Sequence, residues 1–380
     1  MTSYDVIVLG TGGVGSAAAF HAARRGAKVL GIDRFPGGHD RGSSHGETRI
    51  IRQAYFEHAD YVPLLLRAYE LWRELEQLAG EDLLHQVGLL QVGPPEGVVV
   101  RGVLEAAQLH GLAVDSLSAH EVHRRFPGFR VPAGSVGVFE PAAGYLKVER
   151  CVLAHLAAAK QHGAEFRFGS AVSLRRKAGN SIVIGTEAGD TFRCAKLIVT
   201  AGPWAPVLLP NLKIGFAVRR KHLYWYPTAD ACYHQDRGCP TFLYELPQGV
   251  YYGFPQIDAL GVKVAEHSGG ELVRDPLHDP RELDQADLGR VESFLAQQMP
   301  GVTRQLGRRS VCFYTMSPDE HFIVDQDPFF PNNYFAAGLS GHGFKFTSVL
   351  GEALAELALD GTTKLPIGFL SLNRFRTTAG

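Results

Sequence analysis

Residues Tyr4 to Leu9 form an apolar run that leads directly into Gly10-Thr11-Gly12-Gly13-Val14-Gly15, and an alanine-rich segment follows. Strand, glycine turn and helix in that order constrain this chain most, because they make the opening unit of a sheet that holds a dinucleotide. Gly10 permits the tight turn, Gly12 lets the backbone approach a pyrophosphate, and Gly15 lets helix and strand pack closely. The helix start offers unpaired N–H groups to the anion. The helix is expected to run to Arg24-Arg25 and to stop at Gly26. A second apolar run, Lys28 to Ile32, then delivers Asp33 about 20 residues beyond the turn, where a carboxylate accepts hydrogen bonds from a ribose hydroxyl.

A chain of 380 residues is long for one core, so two lobes are expected. Lys plus Arg number 38 against 39 Asp plus Glu, with no long block of one sign. That balance gives no surplus charge to recruit nucleic acid or an anionic membrane, and points to a small ligand. No apolar stretch reaches the roughly 20 residues that span a bilayer, and no basic leader with a cleavage site opens the chain. A soluble, cytoplasmic protein is expected, and the tail Thr377-Thr378-Ala379-Gly380 lacks the Ser-Lys-Leu ending of peroxisomal import. The five cysteines, at 151, 194, 232, 239 and 312, make no disulfide framework, so free thiols are expected.

After Asp33 comes a polar, glycine-rich stretch, Gly37 to Gly46, read as a loop near the cofactor. Pro63 opens a helical pattern with Leu65, Leu66, Leu71 and Leu75 on one face, ending at Gly80. Leu89 to Val92 and Gly134 to Phe139 are short strand-like runs that suggest an antiparallel lobe. Val148 to Lys160 reads as a helix, Glu165 to Phe168 as a strand, and Lys196 to Gly202 as a buried strand ending in a tight turn. A second excursion, roughly 215 to 320, carries alternating strands such as His222 to Tyr226 and Gly249 to Phe254. Tyr334 to Gly338, a loop to Lys345 and a helix to Leu359 repeat the strand, loop, helix order. The expected architecture is α/β: a Rossmann-type nucleotide domain of residues 1–88, 149–214 and 321–380, interleaved with a mainly antiparallel β substrate domain of residues 89–148 and 215–320.

Cations gather around the anionic site: Arg49 and Arg52 follow the glycine-rich loop, and Lys345 stands before the final helix. Arg holds a carboxylate in a bidentate fork and Lys adds a point charge. Gly42-Ser43-Ser44-His45-Gly46 fits the G-x-S-x-G pattern of hydrolases, but no strand precedes it to present the serine. Cys232, Cys239, His222 and His234 match no common zinc spacing, so no metal is expected.

The opening motif through Asp33-Arg34, the run Gly46-Glu47-Thr48-Arg49-Ile50-Ile51-Arg52, Lys263 to His267, Val311-Cys312-Phe313-Tyr314 with Pro318 to Phe322, and Gly341-His342-Gly343-Phe344-Lys345-Phe346 closely resemble the monomeric sarcosine oxidase and N-methyltryptophan oxidase family. The similarity spans essentially the whole chain, and the cysteine and Gly-His-Gly-Phe-Lys segments are specific to this branch of amine-oxidising flavoenzymes. It implies a D-amino-acid-oxidase-like fold, FAD as cofactor, a monomer, and oxidation of a secondary amino acid by O2 with release of H2O2, sarcosine first. Other N-alkyl or cyclic amino acids, or a non-oxygen electron acceptor, are the alternatives.

By this resemblance Cys312 is the thiol joined to the 8α-methyl carbon of FAD. Arg52 and Lys345 bind the substrate carboxylate, and Lys263 lies under the flavin and activates oxygen, with Arg49 beside the same face. A fixed ammonium there lowers the barrier to building negative charge on O2. His267, Tyr252 and Tyr314 line the substrate pocket. The cofactor contacts implied are Gly10, Gly12, Gly13, Val14, Gly15, Asp33 and Arg34 in the first unit, and Ser43, Ser44, Arg49 and Ile50 in the loop after it. Further along they are Val172, Ala201, Gly202 and Trp204, then Cys312, Leu339, Gly341, His342, Gly343 and Lys345. Ser44 departs from the pattern, since sarcosine-specific members resemble one another in having histidine there; a different flavin environment near His45 is expected.

Overall fold

A computed structural model of the chain describes residues 2–375; the tail read above, 377–380, lies outside the described residues. Its first sheet has eight strands. Thr2–Leu9 lies at its centre, parallel to Val29–Ile32 on one side and to Thr191–Val199 on the other. Leu9 is level with Ile32 and with Val199, so these strands finish together at one edge. Glu165–Arg167 extends the parallel set beyond Val29–Ile32. Thr191–Val199 is divided along its far side: its first half pairs with the hairpin strand Ser181–Thr186 and its last residues with Asn333–Ala337.

Helix Gly13–Arg24 packs on this sheet and is itself covered by Thr347–Asp360 and Val148–Gln161. Gly351 makes the helix pair possible, because a Cβ there would stand 2.5 Å from that of Ala17. Helix Val62–Ala79 starts and stops as its Pro63 and Gly80 predict, Gly80 taking the left-handed conformation at φ 63°. Leu65, Leu71 and Leu75 are buried, but Leu66 is 40% exposed. One helical position turns a side chain by about 100°, so Leu66 faces away from the stripe and Leu64 takes its place inside.

The second sheet has nine strands. Ala217–Tyr226 pairs antiparallel with Arg308–Met316 and with Val262–Glu266, and Gly249–Phe254 continues the series. One pair departs from the antiparallel rule: Thr241–Leu246 runs parallel to Leu89–Gly93. A small third sheet joins Thr48–Ile51 to Gly144–Lys147 and Leu84–His85 between the lobes. Three helices interrupt regions read as strands and loops, Val98–His110, Ala119–Arg125 and Gln285–Gln298. No helix among the described residues is long and apolar enough to cross a membrane. The five cysteines are free.

Candidate active site

An elongated cleft with about 1580 Å³ of empty space, partly open to solvent, lies beyond the carboxyl ends of the parallel strands, where ligands of open α/β sheets bind. Gly10, Gly12, Gly13 and Val14 form its floor, and Asp33 and Arg34 stand at one end. Ser43, Ser44, Arg49, Val172, Ala201, Gly202 and Trp204 contribute walls, as do Leu339, Gly341 and Gly343 from the other side. Gly10, at φ 86°, would bring a Cβ to 2.6 Å from the Thr200 carbonyl oxygen. Gly15 lies under the cleft and serves packing alone: a Cβ on it would stand 1.8 Å from the Gly10 carbonyl oxygen.

The residues present fit an FAD. Around Gly12 the nearest atom to an added Cβ is Ser44 Oγ at 3.5 Å, so the turn leaves room for a diphosphate against the backbone. Asp33 is fixed by the Thr11 amide (2.6 Å) and the Phe35 amide (3.0 Å), with lone pairs left for a ribose. Two buried hydroxyls of the lining, Thr315 Oγ1 and Thr347 Oγ1, have no partner within the protein, as expected of groups that meet a ligand. Ser44 has a structural partner: its Oγ accepts from the Gly13 amide at 3.0 Å, tying the glycine-rich loop to the start of the first helix.

A smaller cavity adjoins the cleft and shares Arg49, Tyr314, Gly341 and Phe344 with it. Ile50, Arg52, Tyr252, His267, His342 and Lys345 line this cavity rather than the long cleft. Arg52 is 3% exposed and lies between the rings of Tyr55 and Phe56, 4.1 and 4.2 Å from their centroids. Its Nη2 donates to both oxygens of Glu57, at 2.7 and 2.6 Å. Burial alone would raise the Glu57 carboxyl, but Arg52 overrides it and holds the group at about 2. The guanidinium therefore already carries a carboxylate, a partner that the sequence pattern did not disclose.

Lys345 donates to the His342 carbonyl at 2.8 Å. Burial, reinforced by Arg52, pulls its ammonium down to about 7. His342 is oriented at both nitrogens: Nε2 stands 3.0 Å from the Glu320 carbonyl, which only accepts, so Nε2 carries the proton and Nδ1 accepts from Tyr55 Oη at 2.6 Å. On the opposite wall Tyr314 Oη stands 3.3 Å from His267 Nδ1 and 3.5 Å from Tyr252 Oη. Burial pushes His267 down to about 3, so this chain is uncharged at neutral pH.

Lys263 is buried one layer behind the cleft instead of lining it. Its three N–H groups go to Gly46 O (2.5 Å), Thr48 O (2.8 Å) and Thr48 Oγ1 (3.1 Å). Burial and then Arg49 drive its ammonium well below the ordinary lysine range. The loop it grips is also held by Glu149, which accepts from the Gly46 and Glu47 amides. Cys312 is likewise covered: it packs with Leu223, Trp225, Tyr252 and Tyr314, while its neighbours Phe313 and Tyr314 reach the cleft. The metal candidates Cys232, Cys239, His222 and His234 form no cluster of ligands among the described residues. Residues missed by the sequence reading are Leu243 in the cavity and Phe35, Thr315 and Thr347 in the cleft; Phe56 and Glu57 fall in the loop of residues 53–57 that the sequence marks as deciding how bulky an amine side chain can enter. Thr347 alone had a local signal, as the first residue of the last helix.

Interleaved parallel and antiparallel sheets, with a dinucleotide cleft opening onto a cation-lined cavity, define an amine-oxidising flavoenzyme fold. The chain belongs to the family of FAD dependent oxidoreductases (DAO), whose sequence model matches residues 5–357. Within it, the chain is 40% identical over 376 residues to a monomeric sarcosine oxidase from Arthrobacter sp. (strain TE1826), covering 98% of this chain and 96% of that one. It is also 40% identical over 376 residues to an N-methyl-L-tryptophan oxidase from Yersinia pestis (strain Pestoides F), covering 98% and 100%. Among solved structures, NikD, an unusual amino acid oxidase essential for nikkomycin biosynthesis, is similar with a TM-score of 0.86 at 25% identity over 98% of both chains.

Proposed function

We propose that this FAD enzyme oxidises a small secondary amino acid, sarcosine first, with O2 as acceptor, yielding glycine, formaldehyde and H2O2. The observation that carries the reading is the buried pair Arg52 and Lys345 in a cavity that shares a wall with the cofactor cleft. The substrate carboxylate takes the place of Glu57 on Arg52 and adds Lys345 as a second cation. The N-methyl carbon then points toward the shared wall of Arg49 and Tyr314. The uncharged Tyr252, Tyr314 and His267 face the amine, and a wall that offers an ammonium no counter-charge favours its neutral form, whose lone pair assists oxidation. Bound FAD supplies the two-electron acceptor, tethered in this reading through Cys312. The product imine hydrolyses in water, and the cations Arg49 in the shared wall and Lys263 behind it stabilise negative charge building on O2.

Oxygen uptake and peroxide counted with purified protein and sarcosine test the reading. Turnover of bound substrate should rise with pH as the amine loses its proton, and a flat alkaline profile contradicts neutral-amine binding. Lys263→Met should leave the reductive half-reaction largely intact and slow reoxidation by O2; equal slowing of both halves contradicts its role. Equal identity to a sarcosine and an N-methyl-L-tryptophan oxidase favours one alternative, a bulkier N-methyl amino acid. Rates across sarcosine, N-methyltryptophan and proline separate the two readings.

A further inference from the structure

Lys221 is a buried cation that the proposed reaction does not use. It lies in strand Ala217–Tyr226 directly opposite Cys312 in register, and residues so paired project from the same face of a sheet. It is 1% exposed, a costly place for a lysine. Of its three N–H groups, one donates to the Ser268 carbonyl at 2.6 Å, and no ion pair with it occurs among the described residues. The nearby acids are engaged elsewhere. Glu266 accepts from Arg290 and Ser268, and Asp287 from Tyr224 and Arg290. Nζ stands 5.7 Å from the centroid of the Tyr314 ring, and Gly270, at φ 98°, lets the following loop close over the stem, an added Cβ there meeting Lys221 Cδ at 2.9 Å.

Four cations lie within electrostatic reach of Cys312: Arg49, Lys263, Arg281 and Lys221. Lys263 has all three N–H groups donated. Arg49 is held by the carbonyls of Thr48 and Ser43. Arg281 sits over Phe313, which projects from the other face of the strand. Lys221 and Lys263 both project from the face of Cys312, and of the two only Lys221 keeps N–H capacity to spare.

We propose that Lys221 is the positioning residue for covalent flavin attachment, its ammonium holding the Cys312 thiolate ready to react. This rests on the reading that Cys312 carries the flavin. In the tethering step the Cys312 S–H bond and one C–H bond of the 8α-methyl break and an S–C bond forms. The two electrons pass through the ring system to O2, which leaves with two protons as H2O2.

Full-length wild type, Lys221→Met, Lys221→Arg and Cys312→Ser, produced without riboflavin and then mixed with FAD, test it. The readouts are flavin fluorescence retained by acid-denatured protein and non-covalent FAD binding. Lys221→Met should tether more than about tenfold more slowly than wild type with FAD affinity within about twofold, and Lys221→Arg, which restores the cation, should recover most of the rate. Tethering by Lys221→Met at the wild-type rate overturns the proposal. If wild-type flavin comes away in acid, the tether reading fails by itself. The claim for Lys221 is then decided by the ultraviolet thiolate absorbance of Cys312, taken as wild type minus Cys312→Ser. Its midpoint should lie about one pH unit or more below that in Lys221→Met, and equal midpoints overturn the claim.

Discussion

The long cleft and the small cavity that adjoins it are built from different materials. The cleft is made of backbone: glycines at 10, 12 and 13, the small residues at 201 and 202, and a left-handed turn through Gly338 and Gly341. The cavity is made of long side chains that arrive from separate elements, Arg52 and Glu57 from one loop, His267 from the second lobe and Lys345 from the approach to the last helix. A backbone site fails by steric collision and a side-chain site by loss of charge balance, so single substitutions should break them in different ways.

The largest effect falls on the backbone site. Gly15→Ala, which would bring its Cβ to 1.8 Å from the Gly10 carbonyl, should lower stability by about 3 kcal/mol or more and abolish flavin content; thermal melts and the yellow colour report it. Arg52→Met should leave flavin content untouched and lower kcat/KM by about 100- to 1000-fold, because it removes the clamp and leaves the half-buried Glu57 carboxylate without its partner. Equal loss of flavin in that variant would break the contrast between the regions.

Lys345 gives a pH test. Held near 7, it is charged below that value and neutral above it, so a carboxylate inhibitor without an ionisable nitrogen should weaken as pH rises. Titration from about pH 6 to about pH 9 should raise its dissociation constant by about tenfold, and Lys345→Met should flatten the profile. Glu57→Gln should have the smallest effect, a fall in KM of about threefold, since the amide competes less well than a carboxylate for Arg52. An increase in KM would mean that Glu57 aids substrate binding instead of competing with it.

The same contrast decides what could be read in advance. The glycine turn, Asp33 and helix Val62–Ala79 were legible because their signals are local: a turn needs its glycine, and a helix is opened by Pro63 and closed by Gly80. Strand Gly249–Phe254 was legible from alternation. Helix Val98–His110 was not, because it opens on three valines, a β-branched run, without a side-chain cap of its own. Its first amides are satisfied by Glu245, which accepts from Val98 and Val99 at 3.0 and 2.8 Å from a distant strand. Helix Gln285–Gln298 had a readable cap in Asp284 but a sparse apolar stripe of Val291, Phe294 and Leu295. The cations Arg49, Arg52 and Lys345 stood out as residue types near an anionic site; that Arg52 holds Glu57 needed the fold of the loop between them. Residue roles at 263, 267 and 312 came from resemblance alone, since nothing in their local pattern separates them from ordinary strand positions.

The wall between the two spaces has a consequence for how such enzymes diversify. Arg49, Tyr314, Gly341 and Phe344 face both compartments, whereas Phe56 and Leu243 face the small one only. On the proposed reading, substitutions at those two apolar positions should alter the size of amine admitted, Leu243 more cleanly than Phe56, whose ring also packs on Arg52. In that reading one scaffold can drift between diets while its engine stays fixed.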